Sequence, residues 1–173
     1  MKKAILIAGV SGSGKSEVGR RLKDLGYETY DTDALPGLCV MVDKITLLPT
    51  EYDNNNDLEK IQKMKWLCKL DELENLISNQ KNDIAYYCGA PNNLEEMVPL
   101  FDQVILLVAS PNNIRQRLNA RQDNGFGKSV EVQDHILNHK ESIEKYLIEK
   151  GAIVIDADQD INLVVEEVIR KSK

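Results

Sequence analysis

Residues 9–16, Gly9-Val10-Ser11-Gly12-Ser13-Gly14-Lys15-Ser16, leave this chain few ways to fold. They fit the pattern G-x-x-x-x-G-K-[ST]. Its glycines let the backbone curl around phosphate oxygens, so that amide groups and the start of the next helix point at the anion. The pattern has that meaning only between a buried strand and a helix, and the flanking residues read as both. Ala4-Ile5-Leu6-Ile7-Ala8 is a short apolar run of the kind a buried parallel strand requires. Behind the loop, Val18, Leu22 and Leu25 recur at helical spacing until Gly26, a stop signal. In that setting Lys15 reaches the β- and γ-phosphates of a nucleoside triphosphate, and the Ser16 hydroxyl is a candidate Mg²⁺ ligand. Gly9, Ser11, Gly12, Ser13 and Gly14 complete the candidate cradle. The competing reading is a plain Gly/Ser turn between strand and helix.

A length of 173 residues reads as one domain, 1–173, with enough chain for a substantial core. A net charge of −6 argues against a nucleic-acid surface, which is normally basic. No apolar run is long enough to span a membrane, and Met1-Lys2-Lys3 leads directly into the first strand, so no export signal is expected. Cys39, Cys68 and Cys88 show no C-x-x-C spacing and read as reduced, buried thiols of a cytoplasmic protein. His135 and His139 are spaced i, i+4, as a metal pair can be, but no third ligand accompanies them; a solvated helix face is the competing reading.

Taken in order, Tyr27–Tyr30 reads as a second strand ending in Asp31-Thr32-Asp33. Residues two apart at a strand end point the same way, so both carboxylates can face one cleft. Asp31 is then a candidate metal ligand and Asp33 a candidate partner for an acceptor hydroxyl; the alternative is that they cap a turn or helix. Residues 34–57, with the polar cluster Asp53–Asp57, read as an insertion over the acceptor site or a surface loop. From Asp57, a helix is expected to run to about Asn79, with Ile61, Met64, Leu67, Leu70, Leu73, Leu76 and Ile77 on one face and Trp66 off its centre. Strands are expected at Asp83–Cys88, Gln103–Val108 and Ala152–Ile155, the last followed by a closing helix. Alternating strands and helices predict an α/β fold of parallel βαβ units with helices on both faces.

The arginines fall in an informative pattern. On a helix from Ile114 to Gln122, Arg121 projects between the inward Ile114 and Leu118, Arg117 lies on their flank and Arg115 points away. Arginines beside an inward stripe need anions, because an unpaired buried charge is costly. Residues 122–129, with Gly125, Gly127 and Lys128, read as a short lid, with Arg117 and Arg121 stabilising transferring charge. Pairing with surface carboxylates is the alternative. No arginine occurs between Arg21 and Arg115, which weighs against a phosphorylated or carboxylated acceptor held by a guanidinium fork, although lysines remain available.

The run GVSGSGKSEVG resembles the opening of gluconate kinases, and Asp31-Thr32-Asp33 resembles the paired aspartates of shikimate kinases. The glycine after the third strand, Arg117 and Arg121 as R-x-x-x-R, and Ile155-Asp156-Ala157-Asp158 match in order and spacing. Over nearly the whole chain the sequence resembles the small P-loop kinases, which include the nucleoside monophosphate kinase-like NTPases. That resemblance implies a three-layer P-loop NTPase sandwich with a five-stranded parallel sheet in the order 2-3-1-4-5. It also implies that adenine lies between the lid helix and the loop after Ile155, which makes Asp156 a candidate cofactor-binding residue. The arginine that holds shikimate's carboxylate has no counterpart here. Lys65-Trp66-Leu67 resembles a tryptophan motif of gluconate kinases, without its surrounding arginine and proline.

The expected activity is therefore an ATP- and Mg²⁺-dependent phosphotransferase acting on a small hydroxyl-bearing metabolite, in a monomer or homodimer without nucleic-acid or membrane partners. Its candidate catalytic residues are Lys15, Asp33, Arg117 and Arg121. An ATP-binding regulatory or interaction protein and a nucleoside or nucleotide kinase are the alternatives.

Overall fold

A computed structural model of the chain describes residues 2–51, 56–122 and 125–173. Strand β1 (Lys3–Ala8) lies at the centre of a five-stranded sheet with β2 (Glu28–Asp31), β5 (Ile84–Cys88), β6 (Gln103–Val108) and β7 (Ile153–Asp156). The order is β2-β5-β1-β6-β7 and every pairing is parallel. Two further strands, β3 (Cys39–Asp43) and β4 (Met64–Cys68), pair with each other as a separate antiparallel sheet. With those two set aside, the order is the expected 2-3-1-4-5.

Both faces of the large sheet are covered, which is why its inner strands β1, β5 and β6 are apolar runs and not alternating ones. Ile5 and Ile7 of β1 point to one face, with Tyr86, Ile105, Leu107 and Ile155. There they meet Val18 and Leu22 of α1 (Lys15–Asp24), Ile114 and Leu118 of α5 (Pro111–Ala120), and Val164 and Val168 of α7 (Ile161–Ser172). Ala4, Leu6 and Ala8 point to the other face, against Leu73 of α3 (Leu70–Ser78) and Leu94 and Met97 of α4 (Leu94–Met97). The long helix α6 (Val130–Glu149) serves both layers, through Val132 and Ile136 at its start and Leu147 near its end. Each fully buried side chain of this size stabilises the fold by about 1.5–3 kcal/mol.

The single helix expected from Asp57 to Asn79 is instead three elements. Asp57 does cap a helix, its carboxylate accepting from Lys60 N at 3.2 Å, but α2 (Leu58–Gln62) stops after five residues. Met64–Cys68 is β4, paired in register with Cys39–Asp43, and the helix resumes only at Leu70. Met64, Trp66 and Cys68 have a period of two that the i, i+3 series through Leu67 and Leu70 conceals. A partner strand more than twenty residues upstream decides between the two. Of the expected stripe, Leu73 is the fully buried residue, on α3. The helix expected to reach Gln122 ends at Ala120, and Arg121 has extended backbone angles of φ −60° and ψ 136°.

The insertion at 34–57 contains β3 and leads through α2 into β4. Asp53, Asn54 and Asn55 of its polar cluster, and Asp123 and Asn124 of the 122–129 segment, lie outside the described residues. Among the described residues no helix is long and apolar enough to cross a membrane. The three cysteines are free and buried.

Candidate nucleotide and acceptor site

The loop between β1 and α1 is shaped by its glycines. Gly9 has φ +146°, and a Cβ there would fall 2.6 Å from Ser13 Oγ and 2.7 Å from Leu107 O. Gly14 is the α1 N-cap in the left-handed region (φ 105°), and Val18 N is bonded back to Gly14 O at 3.0 Å. Between them Ser13 N closes a turn on Val10 O at 3.1 Å, leaving Ser13 Oγ buried without a hydrogen-bond partner. A loop that close-packs on its own backbone and turns its amides towards a helix start has the donor set of an anion cradle.

Three cations converge on it. Lys15 Nζ lies across the loop, donating to Gly9 O at 2.8 Å and Val10 O at 3.1 Å. Arg117 donates to Ser13 O at 3.2 Å and Gly12 O at 3.5 Å through Nη1, and to Ala157 O at 2.6 Å through Nη2. It thus clamps the loop to the end of β7 through carbonyl groups. Arg121 reaches Ser11 Oγ at 3.3 Å, by way of an extended backbone and not the helical projection. Arg115 points away, to Gln133 Oε1 and to Asp134 Oδ1 at 2.6 Å. A cavity of about 480 Å³ opens over the loop, lined by residues 12–18, Arg117, residues 120–122, Ala157, Gln159, Ile161 and Val164. A wider hollow of about 600 Å³ follows the outer edge of β2 near Lys23, Tyr27 and Lys81, but it has no such cradle.

The carboxylates divide their tasks. Asp31 Oδ1 accepts from Asp33 N at 3.1 Å and Ala34 N at 3.2 Å, the turn-capping arrangement. Asp33 is exposed, and the Trp66 indole Nε1 donates to its Oδ1 at 3.1 Å. Desolvation holds the Asp33 carboxyl above the usual aspartate range, against the pull of the Lys15 ammonium and the Trp66 hydrogen bond. Burial likewise lowers Lys15 from its ordinary value, with the Asp33 charge opposing. The charges of Lys15 and Asp33 therefore act on each other.

Ser16 is exposed on the first turn of α1. Asp156, a candidate from the resemblance, turns its carboxylate to Asp158 N at 2.9 Å, while Ala157 and Gln159 line the cavity. Strand alternation explains this, since Ile155 and Ala157 are the buried residues of that run. The His135 and His139 rings lie 4.3 Å apart on α6, tilted by 54°, and among the described residues no three His, Cys, Asp or Glu side chains group as a metal site.

Trp66 lies on β4 and not on the expected helix. It is placed by Asn92 and Asn93, which follow β5 and grip the outer edge of β4. Asn92 Oδ1 accepts from Trp66 N at 2.6 Å, and Asn92 N donates to Trp66 O at 2.7 Å. Asn93 exchanges bonds with Cys68 N and Cys68 O, both at 2.9 Å. Two consecutive asparagines after a strand were the available signal.

A family model described as an AAA domain matches residues 5–138. Among curated proteins, a nucleotide-binding protein of Coprothermobacter proteolyticus is 24% identical over 182 residues, covering all of this chain. The chain spans 57% of the length of that relative. Solved structures share the fold. Deoxyadenosine kinase from M. mycoides with bound dATP is 18% identical, with a TM-score of 0.61 over 97% of this chain and 98% of that one. Shikimate kinase from Acinetobacter baumannii with shikimate is also 18% identical, with a TM-score of 0.60 over 99% and 93%. A gluconokinase from Sinorhizobium meliloti is 16% identical, with a TM-score of 0.52 over 98% and 93%.

Proposed function

This chain belongs to the AAA domain family, and within it we propose an ATP- and Mg²⁺-dependent phosphotransferase acting on a small hydroxyl-bearing acceptor. One observation carries the reading. Lys15, Arg117 and Arg121 converge on the glycine loop, and the Asp33 carboxylate is near enough for its charge to act on the same lysine. A cation cluster alone suits any anion; a carboxylate beside it suits a reaction in which a hydroxyl must be oriented and deprotonated.

Bound ATP would supply a transferable phosphoryl group, and Mg²⁺ would offset its charge. Residues 9–16 would hold the phosphates, Lys15 would lie against their outer oxygens, and Ser16 with Asp31 would offer oxygen to the metal. The protein's own work is positioning. Arg117 is already fixed by three carbonyl contacts, so little conformational freedom remains to be lost when its charge meets an anion. Arg121 stands at the edge of the cavity beside Ser11. Asp33, braced by Trp66, is aimed from the hairpin side to accept a hydroxyl proton.

The test is an ADP-release screen across sugar acids, polyols, nucleosides and nucleotides, with Lys15→Ala as the blank. Acceptor-stimulated release that disappears in Lys15→Ala while the variant stays folded supports the assignment. Unchanged turnover in that variant overturns it.

A second reading, an ATP-binding regulatory or interaction protein without acceptor chemistry, is favoured by the curated relative, described as a nucleotide-binding protein and much longer than this chain. Slow hydrolysis that no metabolite stimulates, with a partner binding only the ATP form, selects it. A nucleoside or nucleotide kinase is the third reading, separated by the same screen. A cytoplasmic protein without nucleic-acid or membrane partners agrees with the acidic charge balance.

A further inference from the structure

We infer that Asn56 is a positioning residue that couples the acceptor-side insertion to the arginine-bearing side of the nucleotide site; this rests on the functional reading above. Asn56 stands just ahead of α2, and its amide clasps a segment roughly seventy residues away. Nδ2 donates to Gly125 O at 2.9 Å, and Oδ1 accepts from Lys128 N at 2.6 Å and Ser129 N at 3.0 Å. The Asn56 carbonyl also accepts from Ser129 Oγ at 3.0 Å. One side chain therefore holds both ends of residues 125–129.

The connection continues in both directions. Ser129 Oγ is the N-cap of α6, accepting from Val132 N. In the first turn of that helix the buried Gln133 donates to Gly127 O at 2.9 Å and to Asn119 Oδ1 at 2.8 Å. Asn119 lies on α5 between Arg117 and Arg121, the two guanidiniums that touch the phosphate loop. In the other direction, Asp57 caps α2, which leads within a few residues to Trp66 on Asp33. Hydrogen bonds thus run from Asn56 through Ser129 and Gln133 to Asn119, and the backbone carries the connection on to Arg117 and Arg121 at one end and through α2 to Trp66 and Asp33 at the other. Packed, hydrogen-bonded elements of this kind can transmit a shift at one site to another.

The single tryptophan of the chain makes the coupling measurable, because Trp66 emission reports the acceptor side without any turnover. A non-hydrolysable ATP analogue is titrated into the full chain, with binding followed by calorimetry and Trp66 by fluorescence. Wild-type protein is expected to shift its Trp66 emission on binding. Asn56→Ala should bind the analogue within about 5-fold of wild type yet lose most of that shift. Asn56→Asp, which keeps the acceptor for Lys128 N and Ser129 N, should retain part of it. A purely structural role would lower thermal stability and leave the shift intact. A full shift in both variants, or a wild-type protein that binds without any shift, overturns the coupling while the functional reading stands. Absence of calorimetric binding to wild type overturns the functional reading and the coupling with it.

Discussion

The Trp66 indole donates to Asp33 Oδ1 at 3.1 Å, although Trp66 lies on the two-stranded sheet and Asp33 in the turn after β2, thirty-three positions away. Desolvation raises the Asp33 pKa above the ordinary aspartate value, and the Lys15 charge and this hydrogen bond limit the rise. A carboxylate that accepts a proton must be ionised, so activity should fall as pH drops through that raised value. Trp66→Phe removes a bond made to the ionised form, and the acidic limb of kcat/KM should move further upward. Asp33→Asn should abolish the limb and lower kcat by about 10²–10⁴-fold. Stability has the opposite sign: with a raised folded pKa, the contribution of Asp33 is present below the unfolded value and is lost as pH rises through the folded one.

Arg117 binds three carbonyls through two nitrogens of one plane, an arrangement a lysine cannot reproduce. Arg117→Lys should keep the charge but weaken nucleotide binding by about 10-fold, the equivalent of one or two net hydrogen bonds. Calorimetric titration of the two proteins with ATP checks this. Arg115→Lys, on the outer side of the same helix, should leave affinity unchanged.

Gly89 marks a close approach between two strand ends. A Cβ there would fall 1.9 Å from Thr32 Oγ1, whose hydroxyl donates to Cys88 O at 3.0 Å. Gly89→Ala should destabilise the protein by about 1–3 kcal/mol. Adding Thr32→Ala removes the obstructing hydroxyl, so the double variant should lose less than the sum of the two single ones in urea denaturation.

Asn93 holds Cys68 by both its N–H and its carbonyl, and nothing in that contact involves the donor site. Asn93→Ala should raise KM for the acceptor several-fold while KM for ATP and the midpoint of thermal unfolding change little. Steady-state kinetics with each substrate varied in turn separates these effects.

What the sequence disclosed follows from the range of the interactions involved. Residues 9–16 were legible because strand, turn and helix are contiguous, and each glycine answers a local backbone demand. Ile5 and Ile7 against Leu6 and Ala8 were legible as a strand buried on both faces for the same reason. Trp66 was not, because its strand exists only by pairing with Cys39–Asp43, and residues 61–70 satisfy a helical period equally well. The role of Asn56 was hidden further, since it depends on residues 125–129 arriving beside it. Arg121 shows a mixed case: the helix stops one residue short, and the guanidinium still reaches the loop from an extended backbone.

The two-stranded sheet is separate from the five-stranded one, and its outer edge is gripped largely by the side-chain amides of Asn92 and Asn93. Such an attachment divides the chain into parts that can diverge at different rates. The strands that frame the glycine loop answer to one another through ladder hydrogen bonds, and few substitutions suit them all. The two short strands answer to two asparagines and, through Cys39 and Cys68, to one side of the core. A lineage can thus remodel the exposed positions of the two short strands while the strands around the glycine loop stay as they were.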